Sequence, residues 1–253
     1  MAKPVLINHK VLITRPGAQG KALCEALERA QVACEHIPAI NILENPNKLP
    51  EQKIVSLFLA SELIIAISAN AVNYCKLLTP KITKNTPVLA IGKSTQQVLI
   101  QHKNYHEQQI VLPKEYSTEG LLQLEILQQI KNRKIALICG VGGRELLEQV
   151  LIERGAVCTR IETYQRMYPG ENEAKLQQQL AVNDFNKVVI TSGQALENLV
   201  KMSGGQLPAL LKLQLIVISH RLANLAVDIG FTQPALIIKN ADNAAIMKLL
   251  KKG

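Results

Sequence analysis

Short apolar runs alternate with helix-spaced stretches along nearly the whole chain. The clearest instance begins with Ile135 to Cys139, an unbroken run of apolar or small residues that ends at Gly140-Val141-Gly142-Gly143. Leu146, Leu147, Val150 and Leu151 then recur at helical spacing and stop at Arg154-Gly155. The pattern predicts a strand, a glycine turn and a helix, with a second strand over residues 156–163. Near the start of the chain, residues 11–14 predict a buried strand, Arg15-Pro16-Gly17 a turn, and residues 21–29 a helix with Leu23, Ala26, Leu27 and Ala30 inward. Residues 32–42 predict the next strand, broken by Pro38.

These two stretches are copies of one unit. Leu12-Ile13 matches Leu137-Ile138, Gly17 matches Gly142, Glu28-Arg29 matches Glu153-Arg154, and Val32 matches Val157; every pair stands 125 positions apart, as Ile138 does from Ile13. Further on, residues 63–68 before Ala71-Val72 resemble residues 187–192 before Ala195-Leu196, displaced by 124 (Ser192 from Ser68). Residues 88–92 resemble residues 215–219, displaced by 127 (Ser219 from Gly92). A third strand follows in each copy, at residues 110–113 and 235–239, and then a helix, at residues 117–130 and 241–251. Alternating short strands and helices of ten to fifteen residues specify an α/β fold with parallel, doubly wound sheets. Residues 41–50 and 163–170 break the alternation, are polar and carry proline, and predict linkers.

Composition agrees with buried parallel sheets. Hydrophobic residues make up 47% of the chain but aromatics only 3%, with no Trp, so Leu, Ile, Val and Ala must build the core. A length of 253 residues favours two domains of ordinary size. Cys24, Cys34, Cys75, Cys139 and Cys158 are odd in number, form no C-x-x-C pair and have no His at metal spacing; they read as reduced core thiols. Neither a signal peptide nor a membrane-length apolar run is visible, which leads to the expectation of a cytoplasmic protein. The formal net charge of +9 favours anionic partners. Nucleic acid is disfavoured, since basic runs, a stacking set of aromatics and a zinc or helix-turn-helix pattern are all missing.

In an open α/β sheet, ligands sit beyond the carboxyl ends of the strands. The turns there contain Arg15, Ser68, Thr95, Ser117, Gly140, Arg144, Ser192 and His220. Glycines ahead of a helix let an anion approach its N-H groups, so the turn after Ile135–Cys139 is a candidate anion cradle; an ordinary tight turn is the alternative. It lacks the third glycine of a dinucleotide fingerprint and the Lys-Ser/Thr pair of a phosphate loop. Each Ser or Thr is also an expected helix cap, and the arginines are also suited to solvated helix starts. No paired acids, Ser-His-Asp or Cys-His set, or metal-ligand spacing stands at these turns. His220 and Glu119 read more simply as capping or surface residues, and Tyr164 as linker packing.

Taken in order, VLITRPG at the start, residues 67–72 (ISANAV), AIGKST at 90–95, YSTEGLL at 116–122, the CGVGGRELLEQVLIERGA stretch leading to ETYQR, ITSGQALENL at 190–199 and VISHRLANLAVDIGF at 217–231 resemble the uroporphyrinogen-III synthase family. The resemblance spans essentially the whole chain. It implies two flavodoxin-like domains joined by a two-stranded linker, with substrate held in the cleft between them. One domain is discontinuous, residues 1–40 with 169–253, and residues 41–168 form the inserted domain. The duplication alone would instead cut the chain near residue 126.

The implied reaction takes hydroxymethylbilane, a linear polycarboxylate tetrapyrrole, removes its hydroxyl, inverts ring D through a spiro intermediate and closes the macrocycle, with no cofactor and no metal. Unassisted closure yields the type I isomer, so the enzyme's task is to control folding of the substrate and stabilise developing positive charge. The resemblance assigns Tyr164 as the linker tyrosine that assists hydroxyl departure and places it at the hinge. Thr95, Ser192 and Arg144 match substrate-contacting positions. Ser219-His220-Arg221-Leu222 departs from members that carry Gly and Thr there. A monomer is expected, with transient contact with the preceding pathway enzyme left open. The rival readings are a noncatalytic two-domain module closing on an anionic ligand and a flavodoxin-like nucleotide protein.

Overall fold

Parallel strands shield their backbone from water on both faces, and here this produces two sheets. The structure, a computed structural model, describes residues 10–83, 86–143, 145–182, 185–238 and 243–250. In chain order the first elements are β1 (Lys10–Ile13), α1 (Gly17–Arg29), β2 (Cys34–His36), β3 (Asn41–Glu44), α2 (Glu51–Ala60), β4 (Leu63–Ala66), α3 (Ala69–Tyr74), α4 (Pro80–Thr83), β5 (Val88–Ala90) and α5 (Lys93–Lys103). Then come β6 (Ile110–Val111), α6 (Thr118–Leu122), β7 (Lys134–Gly140), α7 (Leu146–Glu153), β8 (Val157–Met167), α8 (Glu173–Val182), β9 (Phe185–Val189), α9 (Gly193–Ser203) and α10 (Leu207–Leu210). The chain closes with β10 (Gln214–Val217), α11 (His220–Ile229), β11 (Leu236–Ile237) and α12 (Asn243–Leu250). Among the described residues no helix is long and apolar enough to cross a membrane.

Two compact units result, Met1–Asn41 with Met167–Gly253, and Ile42–Arg166. The first holds a five-stranded sheet in the order β11-β10-β9-β1-β2, and every neighbouring pair is parallel. The second carries the order β3-β8-β7-β4-β5-β6, parallel from β8 through β6. The sequence copies therefore do not fold separately. Strands β1 and β2 of the first copy share a sheet with β9, β10 and β11 of the second, joined through the β1–β9 pair, while β4, β5 and β6 join β7 and β8. Replacing each strand by its counterpart in the duplication gives the same order in both sheets.

Alternation along each strand sorts the core. In the second unit Ile64, Ala66, Val88, Ala90, Ala136, Ile138 and Ile161 face Ile54, Phe58, Ala71, Val72 and Leu99 on one side of the sheet. Leu63, Ile65, Leu89, Ile135 and Leu137 face Leu121, Leu127, Leu147 and Leu151 on the other. In the first unit Val11, Ile13, Val189 and Ile216 pack on Leu23 and Leu27 of α1 and on Ile246 and Leu250 of α12. Each such fully buried side chain stabilises the fold by roughly 1.5–3 kcal/mol before chain entropy is counted.

Several expected boundaries move. Helix α1 starts at Gly17, a turn before residue 21, with Pro16 at its N-cap and Gly17 at φ 46°. The strand expected over residues 32–42 is β2 alone, followed after Pro38 by β3. Residues expected to be linker are instead strand: β3 lies beside β8, and β8 runs unbroken for 11 residues through Met167. Asn45 secures this edge, its amide donating to the Glu162 carbonyl at 2.9 Å and its backbone N-H to Thr163 at 3.1 Å. The helix expected over residues 117–130 shortens to α6 and a separate 3-10 turn at Glu125–Leu127, because Leu124 is extended. The released carbonyls of Leu122 and Leu127 accept bonds from Arg154, at 2.9 and 2.8 Å. The final strand narrows to β11, and parts of the stretches expected as strand over residues 235–239 and helix over residues 241–251 lie outside the described residues.

All five cysteines are free thiols, with Cys24, Cys75 and Cys139 buried. Burial pushes the Cys139 thiol up to about 12, Cys75 and Cys158 up to about 11, and the Tyr105 phenol up to about 12. These groups all belong to the second unit. Above pH ~9 an unfolded chain loses thiol protons that the folded unit keeps, so the folded state binds more protons and its stability falls as pH rises. The urea midpoint of this unit is expected to decline from pH 8 to pH 10.5, and Cys139→Ala is expected to make that decline shallower. An equal slope in the two proteins would remove Cys139 as a cause.

Candidate active site

Parallel strands deliver all their carboxyl ends to one edge of a sheet, where the following helices begin. At that edge of the second unit, Ser68 follows β4 and caps α3, accepting from the Ala71 N-H at 3.0 Å. Ser117 caps α6 by accepting from the Gly120 N-H, also at 3.0 Å. Helix α5 is different: its N-cap is Gly92, which offers no side-chain bond. Thr95, in its first turn, is 1% exposed, and its hydroxyl has no hydrogen-bond partner among the described residues. An unsatisfied buried hydroxyl beside uncapped N-H groups is a donor set suited to a carboxylate. Tyr116, 54% exposed, closes over Gly92, where an added Cβ would stand 3.1 Å from it.

The edge is densest around Tyr164. Thr163 pins β8 by donating to the Ala71 and Cys139 carbonyls at 3.0 and 3.3 Å. Gly140 stands opposite Tyr164 in the ladder, and the Val141 N-H donates to the Tyr164 carbonyl at 2.8 Å. The ring fills the space a side chain at 140 would need: an added Cβ would lie 2.5 Å from it. Tyr74 stacks at a centroid distance of 6.3 Å. The phenol oxygen accepts from the Ser68 hydroxyl at 3.3 Å and from Arg166 Nη2 at 3.0 Å, while the guanidinium lies 5.4 Å from the ring centroid.

This geometry corrects two expectations. Tyr164 does not sit at a hinge outside the domains; it is 2% exposed and belongs to the core cluster of the second unit, because β8 continues as a sheet strand through it. Gly140 is glycine so that the Tyr164 ring can fit, which replaces anion approach as its reason. At the same turn α7 starts only at Leu146, its N-cap is Glu145, and Glu148 lies in its first turn. Glu148 is paired with Arg160 at 3.1 Å. Arg144 lies outside the described residues.

In the first unit Ser192 follows β9 and caps α9, accepting from the Ala195 N-H at 3.2 Å. His220 is the exposed first residue of α11, whose cap is Ser219. Arg15 follows β1 with its side chain 8% exposed, donating to Asn243 at 2.7 Å and Gln19 at 3.1 Å. Strands β10, β9 and β1 are adjacent and parallel, so these three positions share one sheet edge. The sequence reading missed Tyr74, Gln19, Asn243 and Arg166. Only the last carried a local signal, since residues 164 and 166 of one strand project to the same side. Among the described residues no group of three His, Cys, Asp or Glu side chains could hold a metal.

Residues 21–246 match the family model for uroporphyrinogen-III synthase HemD. The chain belongs to the uroporphyrinogen-III synthase family. It is 32% identical over 250 residues to the uroporphyrinogen-III synthase of Salmonella typhimurium strain LT2, covering 95% of this chain and 99% of that protein. Identity to the Escherichia coli K12 synthase is also 32%, with the same coverage. Among solved structures, a mutant uroporphyrinogen III synthase from the extremely thermophilic bacterium Thermus thermophilus shares the fold with a TM-score of 0.60 at 16% identity, over 97% of this chain and 100% of that one. The uroporphyrinogen-III synthetase of Helicobacter pylori 26695 gives 0.58 at 13%, over 96% and 99%. Membership of the synthase family makes the chain an enzyme, and its fold is the family's mixed α/β architecture with parallel sheets.

Within that fold, Gly140 is tightly constrained by the ring opposite it. Gly140→Ala is expected to cost about 1–3 kcal/mol in urea unfolding, the usual penalty for overpacking. Adding Tyr164→Leu should recover part of that loss. Unchanged stability of the single variant would show that the ring has room to move.

Proposed function

We propose that this chain cyclises hydroxymethylbilane to uroporphyrinogen III as a lyase of tetrapyrrole biosynthesis, with inversion of ring D. The observation that carries the mechanism is the saturated acceptor side of Tyr164. Its oxygen already takes bonds from Ser68 and Arg166, so its one proton is left to be donated. That proton passes to the substrate's terminal hydroxyl. The carbon–oxygen bond breaks, its electron pair leaves with the oxygen as water, and the adjacent pyrrole nitrogen's lone pair carries the resulting positive charge. Ring closure at the substituted carbon of ring D, through the spiro intermediate, precedes rearrangement. The proton shed as the last ring regains aromaticity restores the phenol. Atoms and charge balance with no redox step, which is why no cofactor enters the reading.

Recognition in this reading falls to the strand-end donors. Arg15, Ser192 and His220 in one unit, and Thr95, Ser117 and the N-H groups at the start of α5 in the other, receive substrate carboxylates, while Ser68, expected among these contacts, gives its one proton to the Tyr164 oxygen; Arg144 is assigned the carboxylate role by the family resemblance. The net charge of +9 supports a polyanionic substrate. The units are read as flavodoxin-like domains, residues 1–40 with 169–253 and residues 41–168, joined by β3 and β8. The first sheet has the strand order of that fold directly, and the second has it in permuted form. The enzyme is read as a cytoplasmic monomer in transient contact with the enzyme that releases its substrate.

Given hydroxymethylbilane, the purified protein is expected to form the type III isomer, resolved from type I by chromatography after oxidation. Type I alone from folded protein would refute the assignment. Tyr164→Phe is expected to fold normally and to turn over roughly 10²–10⁴ times more slowly, the usual range for loss of a general acid. Unchanged single-turnover rates would remove the phenol from the mechanism.

A further inference from the structure

Arg166 is one of two donors to the Tyr164 oxygen, and the charged one. It is exposed near the end of β8, yet its side chain lies back against Tyr164 rather than out in water. Two contacts hold it there. Nη2 donates to the phenol oxygen at 3.0 Å, and the guanidinium carbon lies 5.4 Å from the ring centroid. A flexible side chain gives up rotamer freedom to stay in such a place. No salt bridge accounts for it, since the ion pairs recorded among the described residues use other cations.

The remainder of the phenol's surroundings is rigid. Gly140 leaves no room behind the ring, Tyr74 stacks at its side, and Thr163 ties the preceding residue to two carbonyls. The oxygen is fixed within the frame while the direction of its proton is not. A phenol oxygen accepts up to two hydrogen bonds and donates one. Ser68 supplies one of those bonds, but its oxygen also serves as the cap of α3. With Arg166 alone or Ser68 alone, one acceptor direction would be open to water, which could also take the proton.

We propose that Arg166 is a positioning residue that acts through Tyr164. With Ser68 it fills the acceptor side of the phenol oxygen, so that the proton points to the substrate, and its fixed positive charge steadies the oxygen as the proton departs. The inference rests on the reading of Tyr164 as the proton donor. As the proton moves to the substrate hydroxyl and water leaves, negative charge grows on the phenol oxygen at the end of a bond already made. Such preorganised donors cost nothing to reorient during reaction. Arginine suits the post better than lysine, because its planar fork can give one N-H to the oxygen while the plane stays over the ring.

The test is a double-mutant cycle on the full chain with hydroxymethylbilane, following single-turnover rate, KM and the ratio of type III to type I product. Arg166→Gln is expected to lower the rate about 10- to 100-fold with KM changed less than about threefold, below the range for a buried oxyanion donor because the site meets solvent. Arg166→Lys should recover part of the rate. In a Tyr164→Phe background, Arg166→Gln should change the rate less than about twofold, since there is no proton left to aim. Equal losses from Arg166→Gln in both backgrounds would overturn the proposal. So would a raised KM with an unchanged rate, which would mark Arg166 as a carboxylate contact instead. If Tyr164→Phe alone leaves the rate unchanged, the proton-donor reading fails and this inference with it. If Tyr164→Phe is slow and Arg166→Gln is not, only the inference fails. Equal urea midpoints of the variants and the parent show that the comparison is between folded proteins.

Discussion

Parallel strand pairing is the constraint on which the remainder of the structure depends. A strand that must run the same way as its neighbour can be reached only by a crossover, and the crossovers here are helices. Every strand in such a parallel run then ends at one edge, and the crossover helices start there. The caps follow from that geometry. Ser68, Ser117, Ser192 and Ser219 each bond the backbone three residues on, and they gather at these edges because helix starts gather there. The proposed substrate contacts fall at the same edges for the same reason, since uncapped N-H groups and capping hydroxyls are donors by default.

Two features of the second unit bear on its candidate site. Helix α5 begins without a side-chain cap and buries the Thr95 hydroxyl unpaired. Leaving such a group unsatisfied costs the fold about 1–3 kcal/mol, a cost that a bound carboxylate could offset. Strand β8 extends through Met167, beyond the last residue of its neighbour β7 at Gly140. That overhang puts Tyr164 at the limit of the sheet, with its ring in the core and its oxygen between Ser68 and Arg166. The phenol's environment is therefore a product of strand length.

Local pattern carried much of this. The strands β1, β4, β5, β7, β9 and β10 were all legible as short apolar runs, because a buried parallel strand has little else to be. The cap serines were legible too, since a hydroxyl before an apolar helix satisfies an otherwise orphaned N-H. Boundaries moved where a distant residue intervened. Arg154 ends α6 by taking the Leu122 carbonyl from 32 positions away, and the proline-bearing polar stretches became β3 and the end of β8 because each offers the other a pairing edge. Polarity reads as loop from sequence, but an edge strand tolerates it.

The sequence by itself determined the family, the α/β class with parallel sheets and the inventory of donors at the strand ends, because these depend on residue type and near-neighbour spacing. It also held the duplication, but not the way the copies are used. That β1 pairs with β9 rather than with β4 is settled by register between strands some 175 positions apart, as in the Thr14 hydroxyl's bond to the Val189 carbonyl. Only the tertiary structure decided why residue 140 is glycine. The glycines of that turn looked like a place for an anion, and one of them is instead the place for Tyr164. The two residues lie 24 apart in sequence and opposite in the ladder. A steric vacancy of that kind appears only when the chain brings its filler back.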